Sequence, residues 1–436
     1  MRGEHVGMED LTDEALRTLV NIYIDHFKKT PFIMQVKDEK MLSDGWYQLG
    51  KVKKITPLLS VLLLWQCVGQ TSQSGCVTPE GKSRRSMEYV SGFNAPDYFN
   101  ELYQDAEMRH AFNGSGKKDF TAWQKAFRPK LMEKLGIAKI ARQLQDFKPK
   151  AEKVDSEDIG YAVRERWVIW TEPSVPLPFI ILFPKEKRER YTLVISPHGH
   201  GKNTEAYAGV YHSEEEEREE LEGEYDISVQ AVKRGCIAIA PTTRGFGKTR
   251  TPEDIENDAL SSCRTLFVHD MLVGRTPIGD RVWDVMKLID WSLEKLPVDA
   301  SRIVVYGNSG GGTVTLFAGA CDTRIAASIP SSYFCTFAGS IGSIRHCLCN
   351  YIPGILDYGE MSDIAGLTAP RLFCATNGRY DDIFPAAETE KAFAHLQEIY
   401  RAAGVPDNCE LYFGEGGHRV YRDGAYDFLK KHHFCE

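Results

Sequence analysis

The chain has 436 residues, 42% hydrophobic and 26% charged, and its 53 Lys and Arg against 61 Asp and Glu leave a net charge of −8. These are the proportions of a folded globular chain, enough for two or three domains at roughly 150 residues each or for one large α/β domain with an appendage. The acidic balance, without a sustained basic stripe, excludes a partner held through phosphate charge, nucleic acid above all, and no apolar run reaches the ~20 residues of a membrane-crossing helix.

Residues 1–85 are of mixed character. Leu11–Phe27 has helical spacing, and Lys51-Val52-Lys53-Lys54 leads into the apolar run Ile55–Trp65 in the manner of the n- and h-regions of a secretory signal peptide. Because so much chain stands ahead of this segment (51–66), either translation starts near Val52 or the run is a buried part of a genuine N-terminal region. The signal reading implies a secreted or periplasmic protein, with Cys67 or Cys76 as a candidate for lipid attachment; the other reading implies a cytoplasmic one. Thr71–Gly75 is a polar linker, and 1–85 is expected to lie outside the core.

From Pro96 to Leu144 the spacing of Tyr98, Leu102, Tyr103, Met108 and Phe112, then of Trp123, Phe127, Leu131 and Leu135, predicts a helical extension over 86–150. Asn113-Gly114-Ser115 fits a glycosylation acceptor but carries no meaning in a bacterial setting. After Lys150 strands and helices alternate. Strands are expected at Tyr161–Thr171 and Leu177–Phe183 as an antiparallel pair, then at Tyr191–Ser196, Cys236–Pro241, Ile303–Tyr306, Ile325–Ile329, Arg371–Ala375 and Cys409–Phe413. Helices are expected at Asp226–Lys233, Arg281–Leu296, Gly312–Ala318 and Pro385–Ala403. This is how a mostly parallel, doubly wound sheet covered on both faces is written, here over 151–436, with function in the loops at the carboxyl ends of its strands. The acidic run Glu214–Glu217, continuing at Glu219, Glu220, Glu222 and Glu224, is expected to be a solvated helix face.

The sharpest motif is Gly307-Asn308-Ser309-Gly310-Gly311, a G-x-S-x-G run between an apolar strand and a helical segment. A serine on such a turn needs a strained backbone, and glycines must flank it where side chains would collide. Serine becomes a nucleophile only beside a base, which in this arrangement follows later in the chain with an acid between the two. His418, after Gly414-Glu415-Gly416-Gly417, is the candidate base. Asp381 or Asp382, after the strand Arg371–Ala375, is the acid; Asp381 is preferred because Asp382 can cap the following helix. Two N–H donors for an oxyanion are expected from Gly310 and from His200, in the loop Ser196-Pro197-His198-Gly199-His200-Gly201.

The eleven cysteines form no C-x-x-C pair. His346-Cys347-Leu348-Cys349 offers too few ligands for a closed zinc site and reads as buried thiols, and His198 with His200 lacks an evident third ligand, so no metal is expected. No cofactor is expected either.

On these motifs the chain resembles the α/β-hydrolase superfamily over roughly residues 150–436. Within it, the chain resembles the carbohydrate acetyl esterases related to acetyl xylan esterase and cephalosporin C deacetylase, and the dienelactone-hydrolase-like group. Thr243-Arg244-Gly245-Phe246-Gly247-Lys248 and Val298-Asp299-Ala300-Ser301-Arg302-Ile303 add to the likeness. It departs from the acetyl esterases in having Gly310 where they commonly have glutamine, and in the long segment Lys202–Asp226. The resemblance implies an α/β-hydrolase fold and a serine carboxylic-ester hydrolase removing small acyl groups, such as acetyl, from carbohydrate. The competing readings are a serine peptidase of prolyl-oligopeptidase type, for which the N-terminal ~150 residues are too few to build a propeller, and a non-catalytic binding protein on the same scaffold. Segments 202–226 and 336–367, with Tyr207, Tyr211, Phe337, Tyr351 and Tyr358, are expected to wall the pocket. The sequence leaves the oligomeric state open.

Overall fold

The computed structural model describes residues 94–435. The segment 51–66, Leu11–Phe27, Cys67, Cys76 and the rest of 1–85 lie outside the described residues. The strands are Lys150–Asp158 (β1), Ala162–Glu172 (β2), Val175–Pro184 (β3), Tyr191–Ile195 (β4), Ile237–Pro241 (β5), Val298–Asn308 (β6), Ile325–Ser331 (β7), Leu372–Gly378 (β8) and Cys409–Gly414 (β9). Helices Ala95–Gln104 (α1), Lys117–Lys134 (α2) and Ile137–Gln143 (α3) precede the sheet. Thr204–Tyr207 (α4), Glu214–Glu222 (α5) and Ile227–Val232 (α6) join β4 to β5, and Pro252–Glu256 (α7), Cys263–Leu272 (α8) and Pro277–Lys295 (α9) join β5 to β6. Gly310–Cys321 (α10) follows β6, Met361–Gly366 (α11) precedes β8, Ala386–Ala403 (α12) joins β8 to β9, and Arg422–Lys431 (α13) comes last.

The sheet runs β1-β2-β3-β5-β4-β6-β7-β8-β9, antiparallel from β1 to β5 and parallel from there on. β4 and β5 are buried at every residue, as strands covered on both faces must be. Alternate residues enter different layers, because side chains along a strand point to opposite faces. Leu193, Ile195, Ile303 and Val305 pack with helices α2, α3, α9 and α10, whereas Val194, Val304 and Tyr306 pack with α6 and α13. Phe127, Leu131, Ile137 and Ile140 of α2 and α3, with Leu135 between them, belong to the first of these layers, so the helices ahead of the sheet share its core.

β1 is absent from the expected strands. Its sequence, Lys-Ala-Glu-Lys-Val-Asp-Ser-Glu-Asp, has no apolar alternation, because it is an edge strand with both faces largely exposed. It is held by the ladder to β2 and by cross-strand ion pairs: Lys153–Glu165 at 2.7 Å, Arg166–Asp155 at 3.1 Å and Arg164–Glu157 at 2.8 Å.

From β4 the chain crosses to β5 on one side, and from β5 it returns over β4 to β6 on the other. The carboxyl ends of β4 and β6 therefore flank a point where the connections diverge, which opens a crevice in a sheet of this kind. The loop carrying His200 and the turn carrying Ser309 meet there.

Candidate active site

Ser309 stands between β6 and α10 with φ +54° and ψ −118°, a conformation that side chains rarely adopt. It is held by its N–H donating to the Ser331 carbonyl at 2.8 Å and by its own carbonyl accepting from the Thr313 N–H at 2.9 Å. The Ser309 hydroxyl makes no capping bond to α10, so the side chain is left to face the pocket. The flanking glycines are required by contact. A Cβ on Gly311 would lie 1.9 Å from the Pro197 carbonyl oxygen, and one on Gly307 would lie 2.6 Å from the carbonyl oxygens of both Pro197 and Gly311.

Asp381 and His418 are brought together. His418 Nδ1 donates to Asp381 Oδ2 at 2.9 Å, and Asp381 Oδ1 accepts from the N–H groups of Ile383 and Phe384 at 2.9 and 3.1 Å. The Asp381 side chain is fully buried, whereas Asp382 is exposed, which separates two neighbours that the sequence left as alternatives. With Nδ1 committed to the carboxylate, Nε2 is the imidazole nitrogen left to take a proton. The His418 loop is tied to the end of β8: the N–H groups of Arg379 and Tyr380 donate to Gly414 and Gly416, and a Cβ on Gly378 would sit 2.2 Å from the Gly417 oxygen. Ser332 Oγ donates to the Arg419 carbonyl at 2.8 Å, so the residue after the Ser331 that anchors Ser309 also anchors the residue after His418. Phe384 stacks on His418 with 5.8 Å between ring centroids and lines the pocket that contains Ser309.

The loop after β4 lies directly over the elbow. A Cβ on Gly199 would be 2.7 Å from the Asn308 oxygen and 3.1 Å from Ser309 Cβ, and the His200 backbone nitrogen is 3.6 Å from where a Gly310 Cβ would be. His198 is buried and neutral: burial pushes its pKa down to about 4, Nε2 accepts from the Thr243 N–H, and Nδ1 lies 3.0 Å from the Gly199 carbonyl oxygen. It pins this loop to the Thr243 loop rather than facing substrate. In that second loop Arg244 is buried against Asp284 at 2.5 Å, Asp280 at 3.0 Å and Glu172 at 2.7 Å, so the Thr243-Arg244-Gly245 motif is a packing device.

The cavity over Ser309 has a volume of about 260 Å3. His200, Gly310, Tyr333, Arg345, His346 and Phe384 are among its lining residues, together with Cys347 and Asn350. The expected aromatic walls are thus displaced. Tyr207 and Phe337 are core residues, none of the five named aromatics lines this cavity, and segment 202–226 contributes nothing to it. Within that segment the acidic run does form a helix, α5, capped by Ser213, but Glu220 is buried and pairs with Lys202 at 2.7 Å. His346, read in the sequence only as part of the His346–Cys349 run, lines the pocket, and burial pushes its pKa down to about 4. The His200 ring lies beside the sulfur atoms of Cys263, Cys347 and Cys349, which come from distant loops.

The fold is shared with solved esterases of low sequence identity. A protein described as an acetyl xylan esterase from Bacteroides fragilis NCTC 9343 superposes with a TM-score of 0.61 at 19% identity, covering 79% of this chain and 86% of that one. A glucuronoyl esterase from Solibacter usitatus gives 0.52 at 13%, covering 71% and 92%. Among curated sequences, YtaP of Bacillus subtilis (strain 168), described as a hydrolase, is 25% identical over 214 residues, 47% of this chain and 68% of that protein. The model of the Abhydrolase family matches residues 81–416, most of the chain, and together with the nine-stranded sheet and the strand–serine–helix turn this shows that the chain belongs to the Abhydrolase family and has the α/β-hydrolase fold.

Proposed function

We propose that the protein is a serine carboxylic-ester hydrolase acting on acylated carbohydrate. The observation that carries this reading is the strained Ser309 elbow in a cavity whose wall, Phe384, stacks on the hydrogen-bonded His418–Asp381 pair.

In the reaction, Ser309 Oγ attacks the ester carbonyl while His418 Nε2 takes its proton, and Asp381 stabilises the imidazolium through Nδ1. The N–H groups of His200 and Gly310, the latter opening α10, receive the carbonyl oxygen as it becomes negative. Collapse of the tetrahedral species breaks the ester C–O bond, and His418 returns the proton to the departing alcohol. Water, deprotonated by His418, then releases the acid and restores Ser309. Every step uses side chains and N–H groups of this chain.

Support for a carbohydrate ester comes from the fold likeness to esterases named for acetyl xylan, where the sugar is the alcohol, and for glucuronoyl esters, where it is the acyl group. The modest cavity suits a small acyl group, acetyl being the first to try. Export of the protein, by way of segment 51–66, belongs to the same reading.

The test is turnover of p-nitrophenyl acetate and of acetylated xylo-oligosaccharides by the wild type and by Ser309→Ala. Roughly a millionfold loss of kcat is expected in the variant. Unchanged turnover by Ser309→Ala refutes the nucleophile, and cleavage of a proline-containing peptide without ester hydrolysis refutes the substrate class.

A further inference from the structure

One cluster of side chains beside the cavity has no part in ester hydrolysis. His200 Nε2 is 3.1 Å from Cys349 Sγ and 3.8 Å from Cys263 Sγ, and Cys349 Sγ is 3.5 Å from Cys347 Sγ. The four atoms all lie within 4.8 Å of one another. A tetrahedral zinc ion, with Zn–S about 2.3 Å and Zn–N about 2.0–2.1 Å, sets S···S near 3.8 Å and S···N near 3.6 Å. The separations given above fall on either side of those edges. We propose that His200, Cys263, Cys347 and Cys349 form a structural Zn2+ site joining three loops around the cavity.

Three further observations fit a cationic ligand held by thiolates. The Arg281 guanidinium, itself buried, reaches Cys263 Sγ with Nη2 at 3.3 Å while its Nε donates to the Arg244 carbonyl at 3.0 Å. Three thiolates and one neutral imidazole around Zn2+ leave one net negative charge, which this guanidinium offsets from outside the ligand set. Cys263 is the first residue of α8, where unpaired helix N–H groups favour a thiolate. Finally, a Cβ on Gly310 would stand 2.7 Å from His200 Nδ1 and 2.8 Å from its Cε1. Glycine at the position where the acetyl esterases it resembles commonly carry glutamine is therefore what gives the imidazole its place beside the sulfurs.

All four coordination positions are filled by protein, leaving none for water or substrate, so the ion is structural. His200 comes from the loop after β4, Cys263 from the connection after β5, and Cys347 and Cys349 from the segment between β7 and α11. The cysteines of these loops are free among the described residues, and one ion would hold all three loops. Because His200 and Cys347 also line the cavity, the ion would fix the wall next to Ser309.

The site is tested by the metal content of the full-length chain purified from cells grown with zinc. Roughly one zinc per chain is expected in the wild type and in Cys374→Ser, whose thiol is buried in β8 away from the cluster, and at least about tenfold less in Cys263→Ser and Cys349→Ser. Should the cluster variants fail to fold, the wild type suffices: Co2+ added to chelator-treated protein is expected to give the intense thiolate-to-cobalt absorption of a tetrahedral site. Folded wild type without zinc and with all four groups free overturns the proposal, as does a disulfide among these cysteines found by mass, or iron or copper in place of zinc. Neither readout involves hydrolysis, so the site and the esterase reading fail independently.

Discussion

Ser309 keeps an unfavourable backbone because every neighbour fits only that conformation. The Pro197 oxygen fills the space a side chain at 311 would need, and Gly311→Ala is expected to cost at least about 1–3 kcal/mol in denaturant unfolding as the loop after β4 is pushed off α10. Stability equal to the wild type would mean that this contact is slack. In the sequence Asp381 is set above Asp382 only because Asp382 can cap the following helix, since both follow a strand and precede a helix. Their difference is burial and the two backbone N–H groups aimed at Asp381 Oδ1, which local sequence does not encode. Asp381→Asn is expected to lower kcat roughly 10,000-fold through the wrong imidazole tautomer. Asp382→Asn should leave kcat near that of the wild type; the reverse order would reassign the acid. Both are checked by steady-state kinetics on p-nitrophenyl acetate.

At the scale of elements, the apolar strands were legible because burial on both faces writes continuous Val, Ile and Ala runs, and the turn from β6 to α10 was legible because glycines are forced there. β1 was not, since its stability comes from pairing and ion pairs rather than from apolar periodicity. The Arg244 motif was visible, but its partners on β2 and α9 were not. Arg244→Ala leaves Asp284, Asp280 and Glu172 facing one another, partly compensated by Arg275, and a loss of about 3–5 kcal/mol is expected in urea unfolding. Asp270 of α8 supplies a pH test. One of its oxygens is buried without a hydrogen-bond partner among the described residues, and burial, with the Asp280 charge, pushes its pKa up to about 7 against the attraction of Arg275, Arg244 and Arg281. A carboxyl raised in this way stabilises the fold while protonated, fully below its unfolded pKa near 4, and that contribution is lost as pH rises through about 7. Asp270→Asn keeps the neutral form. It should match the wild type at about pH 4 and exceed it at about pH 8, by ~1 kcal/mol once solvent screening is allowed for. A variant less stable at the higher pH would show that Asp270 is a favourable charge.

Over the whole molecule, alternation of strands and helices announced a doubly wound sheet with loops at one end as the working surface, and the crossing from β5 over β4 to β6 puts Ser309 and the His200 loop at that end. The pocket wall was legible in part: the expected segment 336–367 supplies Ile344, Arg345, His346, Cys347 and Asn350, but none of the expected aromatics. The long segment 202–226, the other expected wall, is not part of it: Tyr207 is used in the core and Glu220 in an ion pair with Lys202. The cysteine and histidine cluster was hidden, since its ligands are adjacent only after three loops fold over the crevice. The central claim, that this crevice forms an acyl-enzyme on Ser309, is tested most directly by acid-quenching the wild type during p-nitrophenyl acetate turnover and mapping the acetyl group by peptide mass spectrometry. A single acetyl ester on the peptide bearing Ser309, absent in Ser309→Ala, is the expected result; continued turnover with the acetyl group on another residue, or with none trapped and Ser309→Ala equally active, contradicts it.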